Sequence, residues 1–113
     1  MKRNALSRED VLRLLRELLP HLKQQYGVSR LALFGSYARG KPRLSSDVDV
    51  LVELDRPLGL EFVDMVLFLE EKLGRKVEVA TFDTLQDSLQ QPRYREIALD
   101  VQRTLTDVEA ATQ

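Results

Sequence analysis

Apolar side chains recur three and four residues apart at Val11, Leu12, Leu14, Leu15, Leu18, Leu19 and Leu22. That spacing lays them along one stripe of an α-helix over residues 8–25. Ser7 with Asp10 three residues on has the form of a capping box, and Gly27 supplies a stop. Pro20 falls inside the stretch and has no N–H, which predicts a kink or a fresh turn there. The period then changes. Residues 31–34 (LALF) form a short apolar run ending at Gly35, a buried strand. Residues 36–46 (SYARGKPRLSS) read as a turn or short helix followed by a loop. Residues 47–54 alternate strictly, with Val48, Val50, Val52 and Leu54 on one side and Asp47, Asp49, Leu51 and Glu53 on the other. After the break at 56–59 (RPLG), residues 60–73 form a second helix whose apolar surface is wider than one core face requires. Gly74 ends it, and 76–82 (KVEVATF) reads as a third strand. Asp83 or Thr84 caps a short helix, and Pro92 opens a last one through about Leu105. The pattern weakens from Thr106, so the tail is expected to fray.

The order α-β-α-β-α-β-α predicts an α/β (α+β) fold: a short mixed sheet of three to four strands with helices packed on it. With 113 residues the chain fits one domain, 1–113, with a single modest core. Seventeen basic against eighteen acidic residues leave a formal charge of −1, which argues against a general nucleic-acid or membrane-surface binder. The absence of cysteine excludes disulfides, iron–sulfur clusters and thiolate zinc sites. No apolar run approaches the ~20 residues of a membrane span, and the N-terminus lacks the apolar core of a signal peptide. A cytoplasmic protein is the expectation.

Asp is depleted in strands, so Asp47 and Asp49 on one face of a Val/Leu strand need a reason. At i and i+2 their Cα atoms lie roughly 6.6 Å apart and their carboxylates can converge on one ion. Oxygen-only ligands suit Mg²⁺ or Mn²⁺. Glu78 points opposite to Val77 and Val79 in the third strand. If that strand neighbours 47–54, three carboxylates share a face and can hold two divalent ions across a phosphoryl displacement. Glu53 shares the face further along and is the weaker member. Gly35-Ser36 directly after the first strand lets backbone and a hydroxyl approach a phosphate, with Arg39, Lys41 and Arg43 adding positive charge nearby.

Two other patterns fail on inspection. Gly35 to Lys41 nearly spells a P-loop, but Pro42 stands where a metal-binding Ser or Thr is needed. Arg16 and His21 have the spacing of a HEPN ribonuclease signature, yet they span Pro20 in an amphipathic helix with nothing else of an all-helical nuclease. His21 reads as a surface residue.

The segments Gly35-Ser36-Tyr37-Ala38-Arg39-Gly40 and Ser46-Asp47-Val48-Asp49 together resemble the minimal nucleotidyltransferases of the polymerase-beta-like superfamily, over about Leu31 to Thr81. The resemblance implies a nucleotidyltransferase fold. It implies ATP as substrate, with Gly35, Ser36, Arg39 and Ser46 holding the nucleotide. Asp47, Asp49 and Glu78 would then act as catalytic residues and ligands of two Mg²⁺ ions, with Mn²⁺ as an alternative. Glu78 stands where the family commonly has Asp. The family is frequently the antitoxin of a pair whose toxin is a HEPN-domain ribonuclease, so the resemblance implies AMP transfer onto a toxin tyrosine, with pyrophosphate released. Neutralisation of that toxin by contact alone is the alternative. Tyr37 is placed at the nucleotide and Tyr26 and Tyr94 in helix packing, and residues 60–73 offer a docking or self-association surface.

Overall fold

The computed structural model describes residues 6–43 and 46–109. Helix α1 (Arg8–Tyr26) starts at the expected capping box: the Asp10 N–H donates to Ser7 Oγ at 3.0 Å, and the Ser7 N–H donates to Asp10 Oδ2 at 3.1 Å. It ends at Gly27, left-handed at φ 72°. The expected interruption at Pro20 does not occur, and the helix assignment continues through it. Proline removes one backbone hydrogen bond, but the stripe Val11, Leu12, Leu15, Leu19, Leu22 and Tyr26 is buried on both sides of it. Pro20 itself is exposed, so water can serve the freed carbonyl. Pro20→Ala is therefore expected to stabilise the protein by ~1–3 kcal/mol, read from the urea midpoint.

Strand β1 (Val28–Phe34) begins three residues earlier than the apolar run suggests. A four-residue helix α2 (Gly35–Ala38) follows it, and then strand β2 (Val48–Leu54). Helix α3 (Glu61–Leu73) crosses over to strand β3 (Val77–Thr81), which lies parallel to β2. A parallel neighbour needs such a crossover connection. Glu70 Oε2 accepts the Val77 N–H at 3.1 Å and fixes the far end of that crossover. Helices α4 (Phe82–Leu89) and α5 (Arg95–Thr104) complete the helical set. The cap of α4 is Thr81 rather than Asp83 or Thr84: its hydroxyl accepts the Thr84 N–H at 3.1 Å, and Phe82 joins the helix instead of the strand.

The expectation of a frayed tail from Thr106 is corrected. Residues Thr106–Val108 form strand β4, antiparallel to β1, with Leu31 opposite Val108. Arg30 clamps Asp107 there, Nε to Oδ1 at 2.9 Å. Residues 110–113 lie outside the described residues. The sheet order is β3-β2-β1-β4, four strands and mixed.

The alternation in β2 divides two cores. Val48, Val50 and Val52 face α1 and α3, where Leu15, Leu22, Met65 and Leu69 are fully buried. Leu51 faces the other way, with Ala32, Phe82, Leu85 and Ala98 under α4 and α5. The α1–α3 contact carries a polar bolt: Tyr26 Oη donates to Asp64 Oδ2 at 2.6 Å, and burial with that bond pushes the phenol up to about 12. Helix α3 buries Met65, Leu69 and Leu73, while Leu60, Val63 and Leu67 stand exposed on its outer side. That outer ridge accounts for the surplus apolar width seen in the sequence. Among the described residues no helix is long and apolar enough to cross a membrane.

Candidate active site

Register brings the acidic residues together. Phe34 stands opposite Asp49 across β1 and β2, and Asp49 stands opposite Glu78 across β2 and β3. Residues directly opposite in adjacent strands share a face, so these three form one row across the sheet. The carboxyl groups of Asp49 and Glu78 therefore lie side by side on that face. Asp49 is pushed up to about 7, first by burial, then by its bond to Glu78 and the charges of Glu78 and Asp47; Arg39 opposes the shift. Asp49 and Asp47 are half-buried, while Glu78 on the outer strand is exposed.

Gly35 ends β1 immediately beside this row. Its φ is +76°, a region that L side chains rarely adopt, and a Cβ at that position would collide with Asp49 Oδ2. The glycine thus allows the first turn of α2 to lie against the carboxylate. Ser36 is half-buried in that turn. The turn closes through bonds from the Arg39 N–H to Gly35 O at 3.1 Å and from the Lys41 N–H to Ser36 O at 3.0 Å.

The remaining expected residues divide. The Arg39 guanidinium lies near enough to Asp49 to lower its pKa, but it is also held by Asp100 of α5, Nη1 to Oδ2 at 3.0 Å. Ser46 Oγ accepts the Arg43 N–H at 2.7 Å, ahead of Asp47 and β2. Tyr37 is corrected: it is 1% exposed inside the α1–α3 core and cannot line a nucleotide site. Tyr37 and Ala38 together form the core side of the α2 turn. His21 is exposed and stacks on Phe68 with ring centroids 4.5 Å apart, a packing role on the opposite face of the sheet. Glu53 is exposed and faces Arg30, two rows further down the face, beyond Leu51.

Two residues of the surround carry no signal in the local sequence. Asp100, the partner of Arg39, lies 61 residues away in the chain. Arg8 braces α2 from outside: its Nε donates to the Ala38 carbonyl at 3.1 Å and its Nη2 donates to Thr106 Oγ1 at 3.1 Å. Both lie on charged, exposed-looking helix faces, where partner choice is set by tertiary packing.

Could this set hold a divalent cation? Among the described residues no three His, Cys, Asp or Glu side chains form a closed cluster able to hold an ion. The donors are nevertheless hard carboxylate oxygens, and burial with the nearby charges of Glu78 and Asp47 raises the Asp49 pKa, a cost that a cation would offset. Mg²⁺ is commonly bound by one or two carboxylates plus substrate phosphates rather than by an all-protein cage. The residues fit an ion that arrives with a phosphate ligand.

Comparison with known proteins bears on the same segment. The family described as nucleotidyltransferase domain matches residues 15–102. The protein adenylyltransferase MntA of Thermococcus cleftensis is 31% identical over 81% of this chain and 94% of its own. A candidate protein adenylyltransferase of Methanocaldococcus jannaschii is 40% identical over 64% of this chain and 75% of its own. Among solved structures, a candidate minimal nucleotidyltransferase superposes with a TM-score of 0.65 at 35% identity, covering 92% of this chain and 98% of that one. The fold alone is shared, at 16% identity and a TM-score of 0.51, with a complex of tri-AMPylated Shewanella oneidensis HEPN toxin and MNT antitoxin; the match covers 92% of this chain and 70% of that one.

Proposed function

The chain belongs to the nucleotidyltransferase-domain family, and from that premise we propose that it is a protein adenylyltransferase acting as an antitoxin. It transfers AMP from ATP to a tyrosine hydroxyl of a HEPN-domain toxin. The observation that carries the chemistry is the register that sets Asp49 beside Glu78, next to the positive-φ Gly35 turn. Without a cation the like charges of such a pair repel. The antitoxin role rests on the relatives named protein adenylyltransferase and on the toxin–antitoxin complex that shares the fold.

Asp47, Asp49 and Glu78 are the residues that would hold Mg²⁺. The ion, when bound, neutralises phosphate charge and orients the reacting oxygens. The chain's own groups then divide the work. Backbone of the Gly35 turn and the Ser36 hydroxyl receive the phosphates, because no side chain at residue 35 stands in the way. Arg39 supplies positive charge while Asp100 limits its freedom. Ser46, through its bond to Arg43, sets the loop that delivers Asp47. Glu78 is exposed on the sheet's outer strand and faces the incoming hydroxyl, orienting it and taking up its proton. The acceptor oxygen bonds to the α-phosphorus as the bond from that phosphorus to the bridging oxygen breaks. Pyrophosphate leaves and AMP remains on the acceptor.

The test is a mass measurement. The product of the adjacent gene, incubated with this protein, ATP and Mg²⁺, is expected to gain one or more AMP units, located by peptide fragmentation on tyrosine. An acceptor of unchanged mass that is still neutralised in the complex would contradict the enzymatic reading in favour of contact alone.

A further inference from the structure

We propose that the acceptor docks as an added antiparallel strand on the free edge of β3, with its tyrosine opposite Glu78. This rests on the nucleotidyltransferase reading above and specifies how that site receives its second substrate. β3 is the outer strand of the sheet and pairs with β2 alone. The Lys76 carbonyl accepts the Val48 N–H at 2.9 Å, so the backbone of Lys76 is directed at β2. Backbone groups alternate in direction along a strand, and Val77, Val79 and Thr81 therefore direct theirs outward. The outward Val77 N–H is taken by Glu70 Oε2. The Val79 N–H and C=O have no partner among the described residues. They stand at the centre of a five-residue edge open to strand addition.

That edge carries none of the usual defences. Sheet edges are normally blunted by short length, lysine, proline or a bulge. β4, at the other end of the sheet, is three residues long, with Asp107 held by Arg30. β3 has neither lysine nor proline and pairs with β2 residue for residue from Val77 to Thr81. Val79 packs toward the α1–α3 core and Ala80 toward the cluster under α4 and α5, so the helices lie on the faces of β3.

Register then fixes what such a strand presents. A residue that exchanges both backbone bonds with Val79 has a chain neighbour directly opposite Glu78. That pair is of the closer, non-hydrogen-bonded type, with Cα atoms about 4.5 Å apart. The neighbour lies on the carboxylate face and extends the row Phe34, Asp49, Glu78 by one place. A tyrosine there stands beside the carboxylates, within side-chain reach across the row. The residue facing Val79 lies on the other face, beside the α1–α3 core, where an apolar side chain fits. The occupant is thus an extended segment with a tyrosine next to an apolar residue. A second copy of this chain is the competing occupant. The edge offers it five residues, against about 20–30 a side in a stable interface. A contact that small suits a substrate that must leave after transfer.

Amide hydrogen exchange, read by NMR on the isotope-labelled full chain, tests the docking without any substitution. The probe is the product of the adjacent gene, added to saturation. The Val79 amide is expected to exchange at least about tenfold more slowly in the complex, while Glu78 and Ala80, already bonded to β2, change far less. Val79→Pro gives a second readout, because it removes the outward N–H and leaves the ladder to β2 intact. It should raise KM for the acceptor about tenfold, the worth of one hydrogen bond, with ATP affinity held within about twofold. Circular dichroism checks that the variant folds; if it does not, the exchange measurement decides alone. Unchanged Val79 exchange in a saturated complex that still transfers AMP would overturn strand docking and leave the nucleotidyltransferase reading standing. Val79 protection that rises with the concentration of this chain alone would overturn it in favour of a second copy. A wild-type chain that transfers no AMP to the saturating acceptor would overturn the reading itself, and the docking with it.

Discussion

Asp49→Asn is expected to reduce AMP transfer by about 10³-fold or more while raising the melting temperature of the metal-free protein by a few degrees. The two effects have one origin. Asp49 is half-buried, in contact with Glu78 and within the field of Asp47. In the metal-free fold those like charges repel, and burial adds to the cost of ionising Asp49. An amide removes the charge, keeps the shape and can still bond to Glu78. The same exchange deletes an anionic ligand, and the charge stabilisation a metal supplies is worth several kcal/mol, with each 1.36 kcal/mol a factor of ten. Radiolabel transfer and thermal denaturation in EDTA, on the same preparation, check both halves. A variant that lost activity and stability together would indicate that Asp49 is a structural residue.

Gly35→Ala is expected to act in the opposite sense on stability. At φ +76° an alanine is strained by ~1–2 kcal/mol, and its Cβ would collide with Asp49 Oδ2. The turn must open or the carboxylate must move, so a total loss of about 2–3 kcal/mol is expected. Either adjustment separates the phosphate turn from the carboxylate row, so Mg²⁺–ATP affinity should fall at least tenfold. Gly40→Ala is the control: its φ is also positive, at 73°, but a Cβ there meets nothing within 4 Å. It should show the backbone strain without the loss of binding. Urea titration and ATP calorimetry on the pair separate the two contributions.

The parts of the fold that the chain discloses locally are those where one physical signal dominates. Strict alternation over 47–54 identifies β2 because each of its faces meets a different core, Val48, Val50 and Val52 on one side and Leu51 on the other. The Ser7–Asp10 box and the left-handed Gly27 and Gly74 define helix ends by chemistry contained within a few residues. Strand β4 is hidden for the converse reason. Thr106-Asp107-Val108 is too short to show a period, and it exists because β1 presents an unpaired edge, with Arg30 meeting Asp107 across 77 positions. Pro20 misleads because a propensity is weighed against a buried stripe that extends past it on both sides.

The site divides in the same way. Gly35, Asp47, Asp49 and Glu78 can be nominated from spacing, since an acidic residue in an apolar strand and a glycine at a strand end are local anomalies. Their assembly depends on β3 lying parallel to β2 in the register that opposes Asp49 and Glu78. Arg39 reads as a free cation in the sequence and is half committed to Asp100. Tyr37 shows the limit of adjacency, one position past Ser36 yet turned into the core.

The central claim is that Asp47, Asp49 and Glu78 direct attack at the α-phosphorus of ATP. It is tested most directly by label partition: ATP labelled at the α-phosphate in one reaction and at the γ-phosphate in another, each with Mg²⁺, this protein and the product of the adjacent gene, and Asp47→Asn as control. Retention on the acceptor of label from the α position alone, lost in Asp47→Asn, is the predicted result. Retention of label from the γ position would make the protein a kinase and contradict the account, and label from neither, with the two proteins still bound to each other, would contradict it in favour of a contact-only antitoxin.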